Sequence, residues 1–178
     1  GWGKLGLPCA EAYVKKGFDV SGFDVKKITS NFVKTFTTLK ETIKDRELIF
    51  IAVPTNHEEG YDGSKPSSHL PVKDFDYTIV KETLKDLSSH ITQKQTVILI
   101  STVLPGTIRR DLAPLLSNNV LLYNPYLIAM GSVEADAMNP EMVMIGSNKS
   151  ANSQFHVAVL ESFYNQVCDN YPRIEKGT

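Results

Sequence analysis

The chain has 178 residues, 42% of them hydrophobic and 22% charged, with 19 Lys and Arg against 20 Asp and Glu. That is the composition of a soluble globular protein, enough for one sizeable core and short for two ordinary domains. A charge balance near zero leaves no basic excess to suggest nucleic acid, and no polybasic run or apolar stretch of about 20 residues marks a membrane. Cys9 and Cys168 lie far apart, and His57, His69, His90 and His156 are scattered. Neither set has a metal-ligand spacing, so free thiols in a reducing cytoplasm and no metal are expected. The stretch Gly1 to Gly6 is neither basic nor followed by an apolar segment, so no signal peptide is expected there.

Short β-rich runs alternate with helical patterns, which predicts a mostly parallel sheet covered on both faces. A first helix is predicted over about 5–16, with Leu7, Ala10 and Val14 on one face and Gly17 as its stop. Strands follow over 18–24 and 32–36, then a small helix over 39–44 and a strand, LIFIAV, over 48–53. The polar segment 55–73 reads as a long loop, of the kind that is usually functional. A helix is predicted over 74–89 with Val80, Leu84 and Leu87 inward, and a buried strand, TVILIS, over 96–101. A further helix over 107–116 is weakened by Pro114. Strands over 120–123 and 143–145 flank an irregular stretch, 124–141. The last helix, 151–167, is expected to turn Phe155, Val159, Leu160 and Phe163 to the sheet. Without repeats or low-complexity linkers, residues 1–178 read as one domain.

Gly1-Trp2-Gly3-Lys4-Leu5-Gly6 is a G-x-G-x-x-G. The first glycine suits a tight turn, the second the close approach of a pyrophosphate, and the third the packing of helix on strand. The helix behind it offers unpaired N–H groups and a positive dipole end. Asp24 follows 18 residues after Gly6 at the end of a predicted strand, where a carboxylate accepts the adenosine ribose hydroxyls and disfavours a 2′-phosphate. NAD is therefore the expected cofactor, on a doubly wound Rossmann-type sheet. In that fold a central strand precedes the motif, and nothing precedes Gly1. The expectation is that the strand belongs to residues outside these 178, the chain being part of a longer dehydrogenase.

Three further segments carry a more specific resemblance. IFIAVPT ends at Thr55, STVLPGTIR begins at Ser101, and YNPYLIAMG runs from Tyr123 to Gly131. In this order, with GWGKLGLP and Asp24, they resemble the N-terminal NAD-binding domain of the UDP-glucose/GDP-mannose dehydrogenase family. The resemblance implies an oxidoreductase that converts a nucleotide-sugar alcohol to a uronic acid in two NAD-dependent steps. It places Thr55 and Thr102 beside the nicotinamide, with Thr102 as the catalytic candidate. It is compatible with a homo-oligomer and implies no nucleic-acid or membrane partner. A threonine hydroxyl donates and accepts, which suits a carboxamide or a bound water. Helix-cap or turn roles remain the alternative for both threonines.

The chain departs from the family pattern N-P-E-F-L-x-E-G. Tyr126 stands at the first glutamate and Met130 at the second, and a phenol with an ordinary pKa near 10 is no carboxylate at neutral pH. The segment after Asp24 is short for the family, and Lys26 and Lys27 read as a phosphate contact or as solvated surface. The family's catalytic cysteine, lysine and asparagine have no counterpart here, and Cys168 lies in no cysteine motif. The 178 residues alone are expected to be inactive on a sugar nucleotide. Two other readings stay open: a domain of a β-hydroxyacid or 6-phosphogluconate-type dehydrogenase, and a non-catalytic dinucleotide-binding module.

Overall fold

The computed structural model describes residues 1–66, 68–116, 119–129, 131–148 and 150–178. Three parallel strands form the centre: β3 (Leu48–Ile51), β4 (Thr96–Leu99) and β5 (Leu121–Tyr123). The sheet extends through β6 (Met142–Gly146), antiparallel to β5, and β7 (Arg173–Gly177), parallel to β6, in the order β3-β4-β5-β6-β7. Two short parallel strands, β1 (Ser21–Gly22) and β2 (Lys34–Thr35), form a separate pair.

Side chains alternate across this sheet, as a strand's two-residue period requires. Ile98, Ile100, Leu122 and Ile145 face helices α1 (Gly6–Lys15) and α5 (Ala151–Val167). Val97, Leu99, Leu121 and Ile49 face α3 (Thr78–Ser88) and the turns around Leu112. Both layers are apolar, which explains why LIFI and TVIL read as unbroken hydrophobic runs. The mostly parallel α/β architecture matches the sequence expectation.

The flank of β3 away from β4 is different. Thr96 N–H donates to Glu47 C=O at 2.8 Å and Ile100 N–H to Ile51 C=O at 3.1 Å. By alternation the backbone groups of Leu48, Phe50 and Ala52 point the other way. No described strand pairs with them. A cavity of about 1730 Å³ lies there, reaching β1, with Tyr13, Phe50 and Phe163 on one wall and Ile43, Ile49 and Leu87 on the other. This lane runs between β3 and β1. Strand β1 is only two residues long rather than the predicted 18–24, and Leu48 and Phe50 are half-buried where burial on both faces was expected.

Several other expectations are corrected. Helix α1 buries Cys9, Ala12 and Tyr13 in the main core, while the predicted stripe Leu7, Ala10, Val14 packs beneath Trp2 and Val33 in a smaller cluster. Gly17 ends α1 at φ +89°, the left-handed geometry predicted for a stop. Residues 107–116 do not form an α-helix: a π-helical turn, Ile108–Leu112, tightens into a 3₁₀ turn, Ala113–Leu115. Pro114 lacks the N–H that an α-helix would direct to Arg110. The irregular stretch contains α4 (Val133–Met138), and β7 was not foreseen. On α5, Phe155 is 60% exposed and His156 takes the inward position with Val157, Leu160, Phe163 and Tyr164. Thr38, first residue of a T-x-x-E run, caps the start of α2 (Leu39–Ile43): Glu41 N–H donates to Thr38 Oγ1, and Thr38 Oγ1 donates to the Glu41 carboxylate. Among the described residues no helix is long and apolar enough to cross a membrane.

Candidate functional site

The glycine loop Gly1 to Gly6 lies at the C-terminal ends of the strands, where open α/β sheets gather ligands. Two of its glycines are required by packing. A Cβ on Gly1 would sit 2.2 Å from the Ala52 carbonyl oxygen, and one on Gly6 would sit 1.9 Å from that of Gly1. The loop is thereby folded tightly against the end of β3. A Cβ on Gly3 would meet nothing within 4 Å, so the middle glycine presents bare backbone to open space. The first turn of α1 contains no acidic residue to oppose an anion at its positive end.

Asp24 is tied to this loop. Trp2 N–H donates to Asp24 Oδ2 at 2.7 Å and Lys26 N–H donates to Oδ1 at 2.8 Å. Burial pushes the carboxyl up, but the two backbone donors outweigh it and hold Asp24 below the usual carboxylate range. Each oxygen keeps acceptor capacity for a further donor. No helix separates β1 from β2, in keeping with the short segment after Asp24. The Lys26 and Lys27 side chains are exposed.

Thr55 and Thr102 follow β3 and β4, half-buried and exposed respectively. Neither hydroxyl is hydrogen-bonded to another described residue, in contrast with the neighbouring Ser101. That serine's Oγ donates to Val53 C=O at 2.7 Å and accepts from Val53 N–H at 3.0 Å, locking the ends of β3 and β4 together. Adjacent residues on a strand face opposite ways, so the Ser-Thr pair divides into an inward clamp and an outward hydroxyl. Gly1, Trp2, Gly3, Lys4, Leu5, Gly6, Asp24, Thr55 and Thr102 are among the residues that line the cavity beside β3. The sequence-predicted site residues thus all border this cavity, with Asp24 and Thr102 on opposite sides of β3.

Sequence reasoning missed Ser101, Tyr77 and Asn124. Tyr77 accepts from Leu104 N–H at 3.0 Å and donates to the Asp74 carboxylate. Asn124 is 1% exposed; its amide donates to Met144 C=O at 2.8 Å and accepts from Tyr164. Their signal was present only as polar side chains in otherwise apolar surroundings. Tyr126, at the position of the family glutamate, turns its hydroxyl inward to Tyr13 at 2.5 Å. Burial, then the neighbouring Tyr13, pushes the Tyr126 phenol well above its ordinary range. Met130 lies outside the described residues. Burial raises the Cys9 thiol to about 12 and that of Cys168 to about 11.

Comparison with known proteins agrees with this geometry. The model of the UDP-glucose/GDP-mannose dehydrogenase family, NAD binding domain, matches residues 25–168. A protein of Methanocaldococcus jannaschii described as uncharacterized is 27% identical, over 92% of this chain and 20% of its own length. The GDP-mannose dehydrogenase of Pseudomonas aeruginosa superposes with a TM-score of 0.80 at 21% identity, over 100% of this chain and 45% of its own. The UDP-glucose dehydrogenase of Pyrobaculum islandicum does so with a TM-score of 0.73 at 21% identity, over 99% and 45%. The chain thus spans under half the length of these solved structures. With the family's model matched across most of its length, the chain belongs to the UDP-glucose/GDP-mannose dehydrogenase family as an NAD-binding domain, and NAD is its cofactor.

Proposed function

We propose that this chain holds NAD for a dehydrogenase that oxidises the alcohol of a nucleotide sugar. The observation that supports this most directly is the convergence of the glycine loop, Asp24, Thr55 and Thr102 on one cavity at the strand ends. In this reading the open backbone at Gly3 and the N-terminus of α1 receive the pyrophosphate, and the exposed Lys4 adds a cation there. Asp24 receives the adenosine ribose. The unengaged hydroxyls of Thr55 and Thr102 orient the carboxamide end, with Thr102 nearest the reacting centre. When bound, NAD supplies the hydride acceptor, and the protein's part is orientation and exclusion of water.

The covalent chemistry of the family needs a thiolate and a positioned base. Cys9 and Cys168 are buried, and both thiols are protonated at neutral pH. The residues described here therefore suit cofactor binding and not sugar oxidation on their own, and we assign the latter to a longer polypeptide. Residues 1–178 act as one domain in this reading, in a reducing compartment that suits two unpaired thiols. The family match sets aside the hydroxyacid-dehydrogenase alternative.

Calorimetric titration with NAD+ tests the assignment. Asp24→Ala removes a charge-assisted acceptor and should weaken binding by about 1–3 kcal/mol. Unchanged affinity would reject Asp24 as the ribose ligand.

A further inference from the structure

The two threonines at the nicotinamide end sit on separate loops, and one short turn touches both. Residues 74–77, just before α3, are exposed apart from the half-buried Phe75 and Tyr77, which is 5% exposed. Asp76 N–H donates to Asn56 C=O at 2.7 Å, and Asn56 directly follows Thr55. Tyr77 reaches the other loop: its phenol oxygen accepts Leu104 N–H at 3.0 Å, two residues after Thr102. The phenol's own proton goes to Asp74, whose Oδ1 also accepts Phe75 N–H at 2.8 Å. Tyr77 is thus oriented at one end and holds a loop amide at the other.

This amide needs a holder. The segment Thr102-Val103-Leu104-Pro105-Gly106 leaves the end of β4 and has no regular structure until Thr107. Pro105 contributes no N–H, and Gly106 is left-handed at φ +89°. Leu104 N–H is the point at which a side chain fixes the path of the backbone beyond Thr102. Ser101 fixes the path before it. Thr102 is suspended between these two anchors.

We infer that Tyr77 is a positioning residue for the nicotinamide end of the cofactor cleft, acting through the Leu104 amide to set Thr102 against Thr55. The inference rests on the NAD-binding reading above and adds to it a residue outside the motifs. It also makes a spatially selective claim. Asp24 lies beyond β1 and Thr102 beyond β4, separated by the lane and β3, on the order of 14 Å at ordinary strand spacing. Tyr77 therefore acts on the nicotinamide half and leaves the adenosine half alone.

The test compares NAD+ with ADP-ribose, which shares the adenosine and pyrophosphate but lacks nicotinamide. Tyr77→Phe keeps the ring and removes the acceptor of a loop N–H, so NAD+ should bind about five- to tenfold more weakly. ADP-ribose affinity should stay within about twofold, as for sites this far apart. Hydrogen exchange at Leu104 should accelerate while Leu84 in α3 stays protected. Asp74→Asn, which loosens the phenol without removing it, should give the same pattern at smaller amplitude. An equal loss for both ligands, or an unchanged NAD+ affinity, overturns the inference. Failure of the unaltered protein to bind ADP-ribose would instead overturn the cofactor reading, and the inference with it.

Discussion

Gly22 and Trp2 show how closely the binding loop is fitted to its surroundings. A Cβ on Gly22 would fall 1.8 Å from Cζ2 of the Trp2 indole, which is itself only 6% exposed. Gly22→Ala must expel the indole or shift β1, and overpacking of this kind costs about 1–3 kcal/mol. Urea unfolding followed by circular dichroism should register that loss, and NAD+ affinity should fall with it because Trp2 N–H anchors Asp24. Unchanged stability in the alanine variant would show that the indole does not pack on Gly22. At this scale the sequence was legible wherever chemistry requires one residue type. Gly1 and Gly6 announce themselves because nothing else fits so close an approach, and Asp24 stands out by its spacing behind them. Ser101 and Tyr77 do not, since serine and tyrosine suit many places and only the fold shows which backbone groups they meet.

Helices and strands followed their periodicity where burial was strong and departed where it was weak. Strand β4 and helix α3 emerged with the expected inward residues because both are buried against the same layer. Helix α4 and strand β7 carry charged or small residues that give little apolar period, so their signal was lost. On α5 the error was one of phase: two overlapping apolar stripes were available, and the one containing His156 faces the sheet. His156 Nδ1 lies 2.7 Å from the Thr96 hydroxyl, and burial holds its imidazole below the usual value. Below about pH 6.5 the unfolded chain therefore binds more protons than the folded one. Stability that His156 contributes at neutral pH should decline as the pH falls from about 6.5 through its lowered folded value. His156→Gln keeps a partner for Thr96 and should flatten that decline between about pH 7 and pH 5 in urea titrations. An identical slope in both proteins would assign the acid sensitivity to other groups.

Across the whole molecule, the expectation of a doubly wound sheet survived because it rests on alternation repeated over several strands. The walls of the lane beside β3 were not legible in the sequence. They prove to be aromatic on one side, with Tyr13, Phe18, Phe50 and Phe163 packed at centroid distances of 5.0 to 6.0 Å.

Trp2 is the one tryptophan in the chain. Every photon of tryptophan emission therefore comes from the glycine loop, where the indole is buried with its Nε1–H unpaired. The protein carries its tryptophan reporter at the glycine loop and no tryptophan against the central sheet. A tryptophan-detected melt follows release of the loop, whereas a backbone-detected melt follows the sheet. Any gap between the two curves measures how far the site opens before the fold does.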